Sequence, residues 1–307
     1  MGTSAPRLVR TGTVDLPVLE ASALASRVVG GRMRVLVVGD RSACVGLADV
    51  EPGDELDTWS TLDLSTLDGW PNSDADSQFE AIAADGGHLV AVMREDPPVV
   101  LVGDTRTGSL RARITLTAPA GSPLHGKWDD PSSRGEGLVL LRNGRLLVAK
   151  EKRPRALVEF CPVNTAAQGI STGDFIGADE EWDAPVGDVE YVATSMWRLR
   201  HHAKKALHDI SALGVGPDRG LWLLSDKSRA VGRLALTTPL RPDGSEITGL
   251  DELWRLPKGT KKPEGMVVID EHRLLVARDT KSKHDNGIIV ERPGPGAHQE
   301  DRCANVN

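Results

Sequence analysis

One pattern recurs five times along this chain and limits what it can fold into: an acidic residue, a short apolar run, a turn, a second apolar run and a second acidic residue. The copies read EASALASRVVGGRMRVLVVGD from Glu20, EAIAADGGHLVAVMRE from Glu80, EGLVLLRNGRLLVAKE from Glu136, DISALGVGPDRGLWLLSD from Asp209 and EGMVVIDEHRLLVARD from Glu264. They close on Asp40, Glu95, Glu151, Asp226 and Asp279. Fifteen positions separate the two acids in three copies, seventeen in the fourth and twenty in the first, a spread that insertions in the turn account for.

Each copy continues with a polar turn and a third apolar run, such as PPVVLVGD or GIIVER, and a fourth run usually follows, such as LRARITLTA or DELWRLP. Four antiparallel strands per repeat, at a mean period near 61 residues, describe the blade of a β-propeller. The expected fold is all-β: a single propeller of five four-stranded blades over residues 1–307, with six blades as the alternative. The last repeat runs out of chain before its fourth strand, and TGTVDLPV near the N-terminus resembles the missing one, so the N-terminal strand is expected to close the ring and remove an exposed edge. The six-blade alternative arises from residues 165–186, whose Gly, Asp and Thr content and lack of paired apolar runs favour a long loop inserted in the third blade.

Composition agrees with strands joined by turns: Gly 32 and Pro 19 punctuate short runs of Val, Leu and Ile. No apolar run approaches bilayer length and the N-terminus lacks a signal-peptide core, so a cytoplasmic monomer with no membrane partner is expected. A net charge of −7 gives no footprint for nucleic acid. Cys44, Cys161 and Cys303 share no metal-ligand spacing and read as reduced structural thiols. There is no Walker loop, HExxH or dinucleotide fingerprint, and GDRSA at 39–43 lacks the second glycine of a nucleophile elbow.

In a propeller the innermost strand starts at the channel mouth, and the antiparallel second strand ends there. Glu20, Glu80, Glu136, Asp209 and Glu264 are therefore expected as an inner ring, with Asp40, Glu95, Glu151, Asp226 and Asp279 behind it. Carboxylates so close raise one another's pKa unless a cation compensates, and a roomy ring of hard oxygens suits Ca2+, with Mg2+ as the alternative. No histidine recurs at these positions, which argues against zinc or iron.

The segment KKPEG lifts Lys261 and Lys262 over the mouth; KWDDPSSRGEG contributes Arg134 and RHHAKKALHD contributes His208. Arg94, Lys150 and Arg278 each precede an outer acid. An acidic centre under a basic rim suits a small anionic ligand, and the leading expectation is a calcium-dependent hydrolase of a small, phosphorylated ester or anhydride. Arg134 and Lys262 would hold the ligand; Lys150, Arg94 or Arg278 would neutralise developing charge, and Glu151 would orient water. A lyase with His208 or a lysine as base, and a non-catalytic propeller binding a peptide, sugar or protein, are the alternatives; exposed Trp70 and Trp128 at the mouth would favour binding.

The segments KKPEGMVVI, HDISALGV with LWLLSDKSRAV, and RGEGLVLL with GRLLVAKEKRPRALVEF resemble the SdiA-regulated family and the related esterase-like phytase propellers. RGEGLVLLRNGRLLVAKE is also similar to an inner-strand segment of the calcium-activated apyrases. The resemblance covers most of residues 20–290 and implies a calcium-associated propeller.

Overall fold

The computed structural model describes residues 5–50, 56, 58–63, 70, 71, 73, 77–130, 134–242, 244 and 246–293; Cys303 lies outside them. After β1 (Val9–Val14), strands follow in consecutive groups of four. The first is β2 (Ala21–Val29), β3 (Arg32–Gly39), β4 (Cys44–Asp49) and β5 (Ser60–Asp63). The second is β6 (Phe79–Ala84), β7 (Leu89–Arg94), β8 (Val99–Asp104) and β9 (Ser109–Thr117). The third is β10 (Gly137–Leu141), β11 (Arg145–Lys150), β12 (Ala156–Pro162) and β13 (Gly187–Arg198). The short helix α1 (His201–Ala206) leads to β14 (Ala212–Val215), β15 (Leu221–Ser225), β16 (Ala230–Leu234) and β17 (Glu252–Arg255). The last is β18 (Pro263–Val268), β19 (Arg273–Arg278) and β20 (Gly287–Glu291), completed by β1.

Pairing within each set is antiparallel between neighbours, as hairpins require. The β2–β3 turn shows why: Gly30 and Gly31 form a two-residue loop with φ of 58° and 79°, the left-handed conformation a twisted hairpin needs. Strand sequences report position in the set. β10 and β11 are buried at every residue because each packs between two other sheets, whereas the outer β9 alternates between buried and more exposed residues.

The core is split into five apolar clusters, each lying between consecutive sets and the last joining the fifth to the first. Sheets packed face to face around a closed ring make this a β-propeller. Ring closure is covalently remote: β1 pairs with β20, from Val9 opposite Glu291 to Val14 opposite Gly287. Buried Asn286 locks the junction. Its Oδ1 accepts from Leu16 N–H at 2.6 Å, and its Nδ2 donates to the carbonyls of Val18 at 3.0 Å and Leu16 at 3.3 Å.

Two features lie outside the repeat. The N-terminal half of β13 runs parallel to β9, so the outer strands of the second and third sets join into one eight-stranded sheet. Residues 165–186 contain no strand, only isolated bridges and a single 3-10 turn at Thr172–Asp174. They cross the end of the channel opposite the acids, where Ala178 O accepts from Val28 N–H and Glu180 O from Gly86 N–H, at 2.7 Å each. Arg145, wholly buried, ties this segment down by donating to Glu159 at 2.5 Å, Gly169 O at 2.9 Å and Asp174 at 2.6 Å. Beneath the crossing, the inner strands enclose an apolar channel cavity of about 430 Å³.

Asn286→Leu removes the three side-chain hydrogen bonds of Asn286 across the closure, while the β1–β20 ladder remains, and leaves buried backbone groups unpaired, each costing about 1–3 kcal/mol. Denaturant unfolding should show a loss of several kcal/mol, with amide exchange accelerated first in β1; exchange unchanged in β1 would contradict this role.

Candidate functional site: an acidic cavity at one mouth

All ten carboxylates of the repeat line one cavity of about 340 Å³, together with Ser22, Ser211, Lys152 and Lys227. The pairing register explains the gathering and corrects its layering. Two residues before each outer acid stands a second-strand residue whose partner marks the inner strand: Val38 faces Ala23, Met93 faces Ala81, Ala149 faces Gly137, Leu224 faces Ala212 and Ala277 faces Gly265. The inner residue just before each partner is Ser22, Glu80, Glu136, Ser211 and Glu264. In the first, second and fifth sets this residue is the extra one of a β-bulge, which re-aims its side chain.

The inner ring is thus three glutamates and two serines. Glu20 and Asp209, expected in that ring, stand two residues earlier, at the level of Gln78, Arg134 and Lys262, and reach the cavity from its rim. Glu20, Gln78 and Lys262 share the same left-handed backbone turn, with φ of 49°, 45° and 43°. Both serines act as stitches between sets: Ser22 Oγ donates to Phe79 O and Ser211 Oγ donates to Pro263 O at 2.8 Å. Each acceptor immediately precedes a glutamate of the ring, so the serine fixes where that glutamate starts.

Crowding and partial burial dominate the electrostatics. Burial, then the charges of Asp40, Glu95 and Glu264, pushes Glu80 well above the ordinary glutamate range. Burial with Glu80 and Glu264 does the same to Glu136. Glu264 is raised to about 8 by burial and by Asp226, Asp279 and Asp209, and Glu95 to about 7, chiefly by burial. Asp40 and Asp226 are also raised, each by burial first and then by a neighbouring acid, Glu20 and Asp209 respectively.

Positive charge enters unevenly. Lys227 Nζ lies 2.8 Å from Glu151 Oε1 and 3.4 Å from Asp209 Oδ2, and Lys152 Nζ lies 2.5 Å from Glu151 Oε2. Asp209 is further committed to its own turn, accepting from Ser225 Oγ and from Lys227 N–H. Both lysines pair with acids of the third and fourth sets, and Lys152 also offsets part of the rise at Glu95, while no lysine of the lining acts on Asp40 or Glu80.

The expected cationic residues are placed differently. Lys150, Arg94 and Arg278 precede acids that point into the cavity, and adjacent strand residues point to opposite faces. None of the three lines the cavity. Lys150 is wholly buried, which pushes its pKa below the ordinary lysine value. The Nε atoms of Arg94 and Arg278 are buried with no hydrogen-bond partner among the described residues.

Arg134 holds the 128–130 loop through the carbonyls of Trp128 and Asp129, and pairs with Asp96 at 3.2 Å. Lys262 is paired with Asp279 at the rim, and His208 is exposed, its backbone N–H donating to Ser228 Oγ at 2.8 Å. Trp70 and Trp128 are buried, their indole N–H groups donating to Ala43 O and Leu116 O, so neither offers an exposed face to a ligand. Lys152 and Lys227 were missed by the sequence reading, although KEK at 150–152 and SDKS at 225–228 place a lysine directly after an outer acid.

The donor set is hard oxygen throughout, without histidine or cysteine. Among the described residues no three His, Cys, Asp or Glu side chains are drawn together as a compact ligand cluster. The carboxylates encircle the space instead, an arrangement suited to a large cation that completes six to eight ligands with water.

No protein-family model matches the chain, and no curated protein sequence does. Solved structures similar to it over most of its length include a calcium-binding protein, regucalcin, from Agrobacterium tumefaciens: 14% identity, TM-score 0.46, covering 94% of this chain and 95% of that one. A PQQ-bound aldose sugar dehydrogenase from Streptomyces coelicolor gives 12% identity and a TM-score of 0.42, covering 95% and 99%. A streptogramin B lyase gives 10% and 0.42, covering 93% and 97%.

The raised carboxyl pKa values fix a pH dependence. In chelated protein the folded state binds more protons than the unfolded state between about pH 4.5 and 8, so stability is full at the lower end and falls as pH rises through the folded pKa values of about 7 and about 8. Carboxylates with lowered values, such as Glu180 at about 2, already contribute fully throughout that range and add no slope to it. The melting temperature with chelator should fall between pH 5.5 and 8.5; a rise over that interval would show that the cavity acids are compensated within the protein.

Proposed function

We propose that this propeller binds calcium in the acidic cavity and hydrolyses a small anionic ester there. The observation that carries the reading is ten carboxylates around 340 Å³ with only two lysines in the lining. A charge imbalance of that size inside one concave space favours a multivalent cation, and hard oxygen donors select calcium or magnesium over zinc. The resemblance to the SdiA-regulated and esterase-like phytase propellers points the same way.

Glu80, Glu136 and Glu264 would hold the cation from the inner ring, with Asp40 and Asp279 supporting it from behind. When bound, the cation polarises the ester oxygen as a Lewis acid. Lys227 and Lys152, held beside Glu151, would take the role first expected of Lys150, Arg94 and Arg278, compensating negative charge as the ester is attacked. Glu95, whose carboxyl sits near neutrality without the cation, is suited to accept a proton from the attacking water.

Calcium added to chelated protein should raise the melting temperature by mass action, stabilising the folded state by about 2.7 kcal/mol at one hundred times Kd. Calorimetric titration should show Glu136→Gln weakening calcium binding, and Lys227→Met should leave calcium binding intact or tighter while lowering turnover of a phosphoester roughly 10²–10³-fold. Turnover that ignores chelator would refute the metal role, and no turnover across a broad ester panel would refute the hydrolase.

A further inference from the structure

A second cavity, of about 270 Å³, is lined by Arg153, Pro154, Arg155, Arg198, Leu199, Arg200 and Lys204. Five of the seven lining residues are cationic in a chain of net charge −7. It lies outside the acidic ring, where the β11–β12 turn meets the end of β13 and the helix α1.

The five cations divide into two that build the cavity and three that face it uncommitted. Arg155 Nη1 donates to the carbonyls of Lys204 at 3.0 Å and Leu207 at 2.6 Å, which clamps α1 against the β11–β12 turn and so positions Lys204. Arg200 Nε pairs with Glu246 at 2.9 Å, an exposed pair. Arg153, Arg198 and Lys204 make no ion pair among the described residues. Like charges lining one small cavity repel unless an anion joins them, and two guanidinium forks with an ammonium group match the tetrahedral oxygens of a phosphoryl group.

We propose that this cavity binds the phosphoryl dianion of a small phosphorylated ligand. The guanidinium groups of Arg153 and Arg198 would donate to the phosphoryl oxygens and Lys204 would add charge from the helix side. The site does not depend on calcium in the acidic cavity, so it is tested in the presence of chelator.

The experiment is calorimetric titration of the full chain with inorganic phosphate, with acetate as the singly charged comparison. One saturable site should appear, preferring phosphate. Arg198→Met and Lys204→Met should each weaken it roughly tenfold or more, as expected for loss of a charged hydrogen-bond donor. Lys227→Met, in the acidic cavity, should leave it unchanged. Lys204 is exposed on a helix, so its replacement keeps the test valid if Arg198→Met fails to fold. Absence of saturable binding, equal binding to the Lys204 variant, or loss only in the Lys227 variant would overturn the assignment.

Discussion

Antiparallel pairing in a closed ring obliges the start of every first strand and the end of every second strand to meet at one mouth. When the sequence puts an acid at nearly every such position, the fold concentrates ten partly buried carboxylates around one cavity. The surrounding structure is organised by that charge. Glu80, Glu136 and Glu264 are forced far above their usual pKa range or close to neutrality, with Asp40, Glu95 and Asp226 raised around them. Serine at two of the five inner positions limits the crowding and converts those positions into hydrogen-bonded stitches to the next set.

The rest of the molecule resists the repulsion this concentrates. Five apolar clusters, one at each packing interface, hold the sheets together, and Asn286 pins the closing strand. The 165–186 segment closes the far end, anchored by the buried Arg145 and by Glu180, which pairs with Arg142 at 2.6 Å and Arg219 at 3.0 Å. The two ends of the channel are chemically opposite: an accessible acidic mouth and an apolar cavity beneath a strap.

Much of this was legible in the sequence because the repeat encodes it: strand number, ring closure and the convergence of acids all follow from five aligned copies. The register was not. Counting from the opening acid placed Glu20 and Asp209 in the inner ring, whereas counting fifteen back from Asp226 reaches Ser211, the spacing kept in the second, third and fifth copies. Strand alternation, applied to the residues preceding the acids, would have turned Arg94, Lys150 and Arg278 away from the mouth, whereas Lys152 and Lys227 lie in the turns beyond β11 and β15, which alternation does not govern. The parallel contact of β13 with β9 carries no local signal, since it depends on how the preceding insertion delivers the chain.

The central claim is that the inner ring of Glu80, Glu136 and Glu264 holds a cation. A crystal grown with a lanthanide in place of calcium, measured at the lanthanide absorption edge, tests it directly. The account predicts one strong anomalous peak inside the acidic cavity, within bonding reach of at least one of these glutamates and lost from crystals of Glu136→Gln. A cavity without anomalous density, or a peak confined to surface carboxylates elsewhere, would contradict it.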